Sequence, residues 1–188
     1  MAVSFEKVTD SKNIPLIIKE LYHSAFPADE RRDWADIARR IDESDLQFSF
    51  YVIKHKAEIA GFITLWSLPS ALYCEHLAIL PGMRGAGIGA EVVGLLRTLA
   101  YSRNREVRPV VLEVELPGAT PEAGRRIAFY ERCGMVARRD FKYIQPPYSP
   151  ELSALPMMLM TFGIVTDCDP LAADLHTIVY NQPEYRKA

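Results

Sequence analysis

Three glycines within five residues mark one segment of the chain, Arg84-Gly85-Ala86-Gly87-Ile88-Gly89-Ala90. The segment follows a β-rich run, Leu72 to Leu80, and opens a stretch, Gly87 to Tyr101, whose apolar residues recur at helical steps. Glycine lets the backbone approach an anion without Cβ collisions, and the N–H groups at a helix start carry partial positive charge. Because Arg84 adds a formal charge, the segment predicts a pyrophosphate site.

Two other interpretations of this segment stay open. Gly85 to Ala90 also satisfies G-x-G-x-x-G/A, the fingerprint of dinucleotide-binding proteins, and Glu113 lies near the acidic position that this fingerprint expects. That fold places its glycine loop after the first strand of a parallel array, whereas hairpin-linked strands come first here. The third interpretation is a glycine-rich turn that only packs a helix against a strand.

Periodicity along the rest of the chain alternates between strands and helices. Three of the β-rich runs follow one another too closely for crossover helices, so we expect them to form an antiparallel meander. The fold class is therefore α+β, a mixed and mostly antiparallel sheet of about seven strands flanked by helices in one domain, residues 1–188. The predicted strands are Phe5–Val8, Phe48–Ile53, Glu58–Leu65, Leu72–Leu80, Val110–Leu116, Met135–Ile144 and Leu155–Ile164; the predicted helices are Ile14–Phe26, Asp29–Ile41, Gly87–Tyr101, Pro121–Cys133 and Pro170–Tyr180.

Composition excludes several classes of protein. A net charge of -2 with 24% charged residues lacks the basic footprint of a nucleic-acid binder. The most apolar stretch, Leu155 to Val165, is too short to span a bilayer, and the N-terminus has no signal-peptide pattern. Three cysteines without C-x-x-C spacing and four scattered histidines predict neither disulfides nor a metal site. We therefore expect a cytoplasmic protein that binds no membrane and no nucleic acid.

Two motifs occur in the order of a known family. The first is Arg84 to Gly89, preceded by Glu75-His76-Leu77-Ala78-Ile79-Leu80-Pro81, and the second is Phe129-Tyr130-Glu131-Arg132-Cys133-Gly134-Met135. Together they resemble the GNAT superfamily of N-acetyltransferases, in a bacterial-type single-domain member. The resemblance implies a coenzyme-binding core at 48–144, a strand and acceptor-side helices at 1–47, and a loop, last strand and C-terminal helix at 145–188. It also implies acetyl-CoA as cosubstrate.

The second motif departs from the family pattern at two positions. Ala123 stands where many members have asparagine, and Arg126 stands where they have alanine. The turn from Pro117 to Gly124 is also longer than the common one. The departures put in doubt a pantetheine contact that the asparagine makes in other members.

Acetyl transfer to an amine needs a base, because an alkylamine with a pKa of about 10.4 is mostly protonated at neutral pH. The resemblance implies that Glu75 is this base and that Tyr130 protonates the departing thiolate. It also implies that backbone N–H groups of Leu77, Ala78 and Ile79 bind the pantetheine. Glu113 is the second choice of base, and His76, on the opposite face of its strand, is interpreted as structural.

The acceptor is expected to be a small-molecule amine or a peptide amine, attacked directly and without an acyl-enzyme. The expected acceptor-side residues combine aromatic and charged character: Phe26, Glu30, Arg31, Trp34, Tyr143 and Tyr148. A homodimer is expected from the habit of the family. Two alternatives remain, a dinucleotide-dependent oxidoreductase and a CoA-binding module without catalysis.

Overall fold

Eight strands and five α-helices lie within the described residues of this computed structural model, 2–100 and 108–187. The predicted α+β class and the order of elements are confirmed. The strands are β1 (Val3–Lys7), β2 (Phe48–His55), β3 (Glu58–Ser67), β4 (Leu72–Ile79), β5 (Val110–Glu115), β6 (Val136–Ala137), β7 (Tyr143–Gln145) and β8 (Leu155–Phe162). The helices are α1 (Leu16–Ala25), α2 (Trp34–Asp42), α3 (Ile88–Ala100), α4 (Ala123–Arg132) and α5 (Asp169–Asp174). The predicted end of the third helix, Tyr101, lies outside the described residues.

The chain divides into two compact units. The first consists of Met1–Ser67 and Cys74–Val93, and the second of Leu68–Tyr73 and Gly94–Ala188. Among the described helices, none is long and apolar enough to cross a membrane.

The first unit contains a sheet in the order β1-β2-β3-β4. Strands β2 and β3 form an antiparallel hairpin, as their short connection predicted, and β1 also pairs antiparallel with β2 although α1 and α2 lie between them in the chain. Helices α1 and α2 bury one face each, because their apolar residues recur at helical spacing. Between helices and sheet lies an aromatic layer in which Tyr22, Phe50 and Phe62 are fully buried and the Phe50 and Phe62 rings stack at 5.5 Å.

One irregularity interrupts the pairing of β2 with β3. Ile53 pairs with Gly61 and Lys54 pairs with Ile59, so Ala60 is an extra residue in β3. Such a β-bulge bends its strand and changes the direction of the neighbouring backbone groups. The bulge lies where β3 runs beside the end of β4.

The second unit is built around β8. Strand β5 pairs antiparallel with β8, and β6 and β7 also pair antiparallel with β8. The beginning of β4 belongs to this unit, where the Leu72 N–H donates to the Pro109 carbonyl at 2.8 Å. Helix α4 packs on β5 and β6 and ends at Gly134, whose φ of 86° is the left-handed conformation that glycine tolerates at a helix end.

The start of the second helix was predicted wrongly. Asp29 lies in a short 3-10 turn, Ala28–Glu30, and α2 begins only at Trp34. The cause is the Asp33 carboxylate, which accepts from the Ala35 N–H and caps the helix at that point. The apolar periodicity of the segment gave no sign of this cap.

Two predicted elements near the C-terminus are interrupted. The predicted strand Met135–Ile144 is two short strands, β6 and β7, because Phe141 N–H donates to the Arg138 carbonyl and closes a turn between them. The predicted helix Pro170–Tyr180 is α5 followed by a π-helical turn, Leu175–Val179, closed by the Tyr180 N–H on the Leu175 carbonyl at 3.0 Å. The first interruption raises the strand count from about seven to eight.

Candidate functional site

The glycine loop lies in the first unit, between β4 and α3. Gly85 and Gly87 have φ values of 81° and 79°, which side chains rarely adopt, so the backbone path itself requires glycine. A Cβ on either residue would meet nothing within 4 Å, and the loop surface is therefore open. The Arg84 Nε donates to the Ile79 carbonyl at 3.0 Å and ties the arginine to the end of β4.

The backbone N–H groups of this loop are available for an anion. In the part of the chain that the structure describes, none of the amides from Gly85 to Gly89 donates to a backbone carbonyl. The next two amides, those of Ala90 and Glu91, already donate to the Gly87 carbonyl inside the first turn of α3. Uncommitted N–H groups at a helix start beside an arginine fit the pyrophosphate of a coenzyme.

Glu75 lies in β4, and its side chain has 0% exposure. Its Oε1 accepts from the Nε and Nη2 of Arg32 at 3.0 and 2.9 Å, and its Oε2 accepts from the Trp66 Nε1 at 2.9 Å. Arg32 also donates to Asp36 at 2.8 Å. Both carboxylate oxygens of Glu75 are thus held by strong donors inside the unit.

The environment of Glu75 controls its affinity for protons. Burial alone would raise the pKa of this carboxyl, but the charge of Arg32 and the groups of His76 and Trp66 outweigh burial and hold the pKa well below its usual value. A carboxylate with so low a pKa has little driving force to accept a proton from an ammonium group. The structure therefore gives Glu75 the environment of an ion-pair partner.

His76 is buried in β4 next to Glu75, and its Nδ1 lies 3.6 Å from the Glu75 Oε2. Its backbone N–H donates to the Thr64 hydroxyl at 3.0 Å, and its Nδ1 lies 3.2 Å from the same oxygen. Its ring packs edge-on against Phe26 at 4.8 Å. These contacts support the structural interpretation of the histidine.

The expected acceptor-side residues of the first unit make internal contacts. The Trp34 ring packs against Tyr22 at 5.3 Å, and Phe26 packs against His76. Arg31 donates from Nη1 to the carbonyls of His23 and Phe26, at the end of α1. The two remaining aromatic residues of this group, Tyr143 and Tyr148, lie in the second unit.

Glu113 lies in β5 of the second unit and is surrounded by tyrosine hydroxyls. Its Oε2 accepts from Tyr73 at 2.7 Å and from Tyr180 at 2.6 Å, and its Oε1 accepts from Tyr143. The Tyr148 hydroxyl lies 3.4 Å from that of Tyr180. We call Glu113 and these four tyrosines the tyrosine cluster.

The tyrosines of the cluster are held in their neutral form. Burial and the nearby charge of Glu113 raise the pKa values of Tyr143 and Tyr180 well above 10. Each therefore keeps its proton and donates it in a hydrogen bond to Glu113.

Glu115, two residues further along β5, has a different environment. Its carboxylate pairs with Arg126 and accepts from the Thr120 hydroxyl at 3.0 Å. Arg126 is one of the two departures from the family pattern, and it therefore has a structural partner. The other, Ala123, is fully buried at the start of α4.

Tyr130 lies in α4 of the second unit and is 8% exposed. Its carbonyl accepts from the Met135 N–H at 3.0 Å, just beyond Gly134. This hydrogen bond fixes the Tyr130 backbone relative to the segment that leads into β6.

Comparison with known proteins shows the family of the chain. The model of the acetyltransferase (GNAT) family matches residues 16–135, more than half of the chain. The chain belongs to this family. A solved GNAT family acetyltransferase from Bacteroides thetaiotaomicron is 32% identical to it with a TM-score of 0.82, over 94% of this chain and 98% of the other. No curated protein matched.

Two more distant structures share the fold of this acetyltransferase. Arabidopsis thaliana Naa50, in complex with the bisubstrate analogue CoA-Ac-MVNAL, is 20% identical with a TM-score of 0.60, over 87% of this chain and 100% of the other. A Salmonella typhimurium acetyl transferase that modifies the N-terminal serine of ribosomal protein L7/L12 is 15% identical with a TM-score of 0.64, over 88% and 96%. At these identities the likeness shows the fold alone.

Family membership confirms the predicted reaction. This acetyltransferase is an acyl-CoA-dependent enzyme that takes the acetyl group from acetyl-CoA and gives it to an amine. Neither the oxidoreductase nor the non-catalytic module finds support in the comparisons.

Three residues that contact the Glu75 and Glu113 carboxylates were not predicted from the sequence. Arg32, Tyr73 and Tyr180 are distant in sequence from the carboxylates that they contact. Only the alternation along β4, which places Tyr73 and Glu75 on one face, gave a partial signal. Long-range contacts of this kind have no local sequence signature.

The buried ion pair gives a stability prediction. We expect Arg32→Met to lower the free energy of unfolding by about 3–5 kcal/mol, because it leaves the buried Glu75 carboxylate without its cation. Arg39→Met is the matched control, since Arg39 is 51% exposed and solvent screens its ion pairs, so that a much smaller loss is expected. Urea unfolding at neutral pH measures both; equal losses in the two variants would contradict the assignment.

Proposed function

We propose that this acetyltransferase acts on a primary amine by direct transfer, and that the tyrosine cluster binds the acceptor ammonium group. The observation that carries the proposal is the Glu113 carboxylate held by three neutral tyrosine hydroxyls. The tyrosine hydroxyls stabilise the carboxylate form of Glu113, and a carboxylate attracts a cation. Tyrosine rings add favourable contacts to an ammonium group.

Glu113 is then the group that takes the proton of the amine, either directly or through water. Once neutral, the amine nitrogen has the lone pair that attack requires. Glu75 as the base stays a prediction from the family resemblance. Its ion pair with Arg32 and its low pKa favour Glu113 for this step.

The glycine loop is proposed to hold the coenzyme through its pyrophosphate. The amides from Gly85 to Gly89 and the Arg84 side chain would bind the phosphate oxygens, and the backbone of Leu77, Ala78 and Ile79 would bind the pantetheine. Bound acetyl-CoA supplies the activated thioester. Tyr130 is proposed to donate its hydroxyl proton to the thiolate that leaves.

A pocket of about 720 Å³ in the second unit suits the body of the acceptor. Tyr148 belongs to its wall and also packs against Tyr180 of the tyrosine cluster, at 5.1 Å between rings. The pocket volume is within the range of small-ligand sites. The pocket is lined by Pro147, Tyr148, Ser149, Pro150, Leu152, Gln182, Glu184 and Tyr185. Both a small amine and the first residues of a peptide suit this volume, and an acceptor panel containing both classes distinguishes them.

A cytoplasmic location and a homodimer also belong to the proposal. The three cysteines are free thiols, which fits a reducing compartment. Light scattering of the purified protein measures the oligomeric state.

The loop assignment predicts the effect of a charge reversal. We expect Arg84→Glu to weaken CoA binding about tenfold or more, because it places a negative charge beside the phosphates. Isothermal titration calorimetry with CoA measures the change, and Arg125→Glu, on the exposed surface of α4, is the control. Unchanged affinity in Arg84→Glu would place the coenzyme elsewhere.

The choice of base is tested by two matched substitutions. We expect Glu113→Gln to lower kcat/KM about 10²- to 10⁴-fold and to remove the acidic limb of its pH profile, since the amide cannot accept the proton. Glu75→Gln should lower the free energy of unfolding but keep that limb. The opposite result, with the limb lost only in Glu75→Gln, would return the role to Glu75.

The role of Tyr130 is tested by removing one oxygen atom. We expect Tyr130→Phe to keep its affinity for CoA within about twofold while kcat falls at least about tenfold, because only the proton donor is lost. Tyr51→Phe, on the sheet of the first unit, controls for loss of a hydroxyl elsewhere. A kcat equal to that of the unsubstituted enzyme would exclude Tyr130 as the acid.

A further inference from the structure

Gly61 makes an unusually close backbone contact inside the first unit. A Cβ on this residue would stand 2.1 Å from the Ala78 carbonyl oxygen and 3.0 Å from both the Ala78 carbonyl carbon and the Ile79 Cα. All three atoms belong to the main chain of β4, so no side-chain rotation relieves the clash. Any side chain at position 61 therefore requires a shift of the main chain of β3 or β4.

The bulge in β3 explains why the two strands come so close. Ala60 is the extra residue, and its carbonyl accepts from the Leu80 N–H at 2.8 Å. Gly61 follows directly and lies against Ala78. Two successive residues of β3 therefore fix the last two residues of β4 and the following Leu80, one through a hydrogen bond and the other through contact.

The end of β4 leads into the proposed coenzyme loop. A short 3-10 turn, Pro81–Met83, connects it to Arg84, whose Nε donates to the Ile79 carbonyl. A shift of Ala78 and Ile79 would thus move both the backbone proposed to bind pantetheine and the anchor of Arg84.

We propose that Gly61 is a positioning residue for the coenzyme. Its missing side chain lets β3 hold β4 at the spacing at which the backbone of Ala78 and Ile79, together with Arg84, binds acetyl-CoA. The inference rests on the proposed coenzyme site. Displacements of about 1 Å in a positioned group reduce binding or rate by factors of up to about 10².

Calorimetry with CoA tests this role. We expect Gly61→Ala to raise the Kd for CoA about 10- to 100-fold and to raise the KM for acetyl-CoA in parallel, while the KM for the amine stays within about twofold. Gly82→Ala is the matched control, because a Cβ there meets nothing within 4 Å. Ile63→Val is a second control, which loses stability in the same strand without a clash.

Three outcomes would overturn the inference. They are an unchanged Kd in folded Gly61→Ala, an equal rise in Gly82→Ala, and an equal rise in Ile63→Val. Failure of the coenzyme site itself is distinguishable, because Arg84→Glu would then also bind CoA normally.

Hydrogen exchange of the unsubstituted protein decides the question if Gly61→Ala does not fold. We expect saturating CoA to slow exchange of the Leu80 amide, which donates to Ala60, more than that of the Val8 amide, which donates to Phe50. Equal slowing of the two amides would overturn the inference.

Discussion

The ion pair between Arg32 and Glu75 organises the first unit. It joins the segment before α2 to β4, and the side chains involved have 9% and 0% exposure. Trp66 and Asp36 complete the arrangement by binding the remaining polar atoms. A buried charge is tolerated only with such a full set of partners. The placement of α2 on the sheet and the direction of β4 toward the glycine loop are therefore coupled.

Two glutamates of this acetyltransferase have contrasting surroundings. Glu75 is neutralised by a guanidinium, whereas the donors that hold Glu113 are tyrosine hydroxyls without charge. A guanidinium strongly lowers the proton affinity of a carboxylate. Neutral donors also stabilise the carboxylate, but they reduce its attraction for cations less. The two carboxylates thus contact different donors, a guanidinium and an indole in one case and phenol hydroxyls in the other.

Local patterns predicted most of the fold. The hairpins before the glycine loop and the periodicity of α3 sufficed for the α+β class and for the position of the loop between β4 and α3. The start of α2 was missed because a single side chain, Asp33, caps the helix. The surroundings of Glu75 and Glu113 depend on contacts between residues 9 to 67 positions apart, which no local pattern encodes.

The π-helical turn after α5 decides which way Tyr180 points. Each residue of an α-helix turns the chain by about 100°, and a π-helical turn contains one extra residue. Without that residue, the side chain at position 180 would leave the helix in a direction rotated by roughly this angle. The Tyr180 hydroxyl instead lies 2.6 Å from Glu113. The length of this turn therefore sets the direction of the Tyr180 side chain. An insertion or deletion here would change the tyrosine cluster without altering any residue in it.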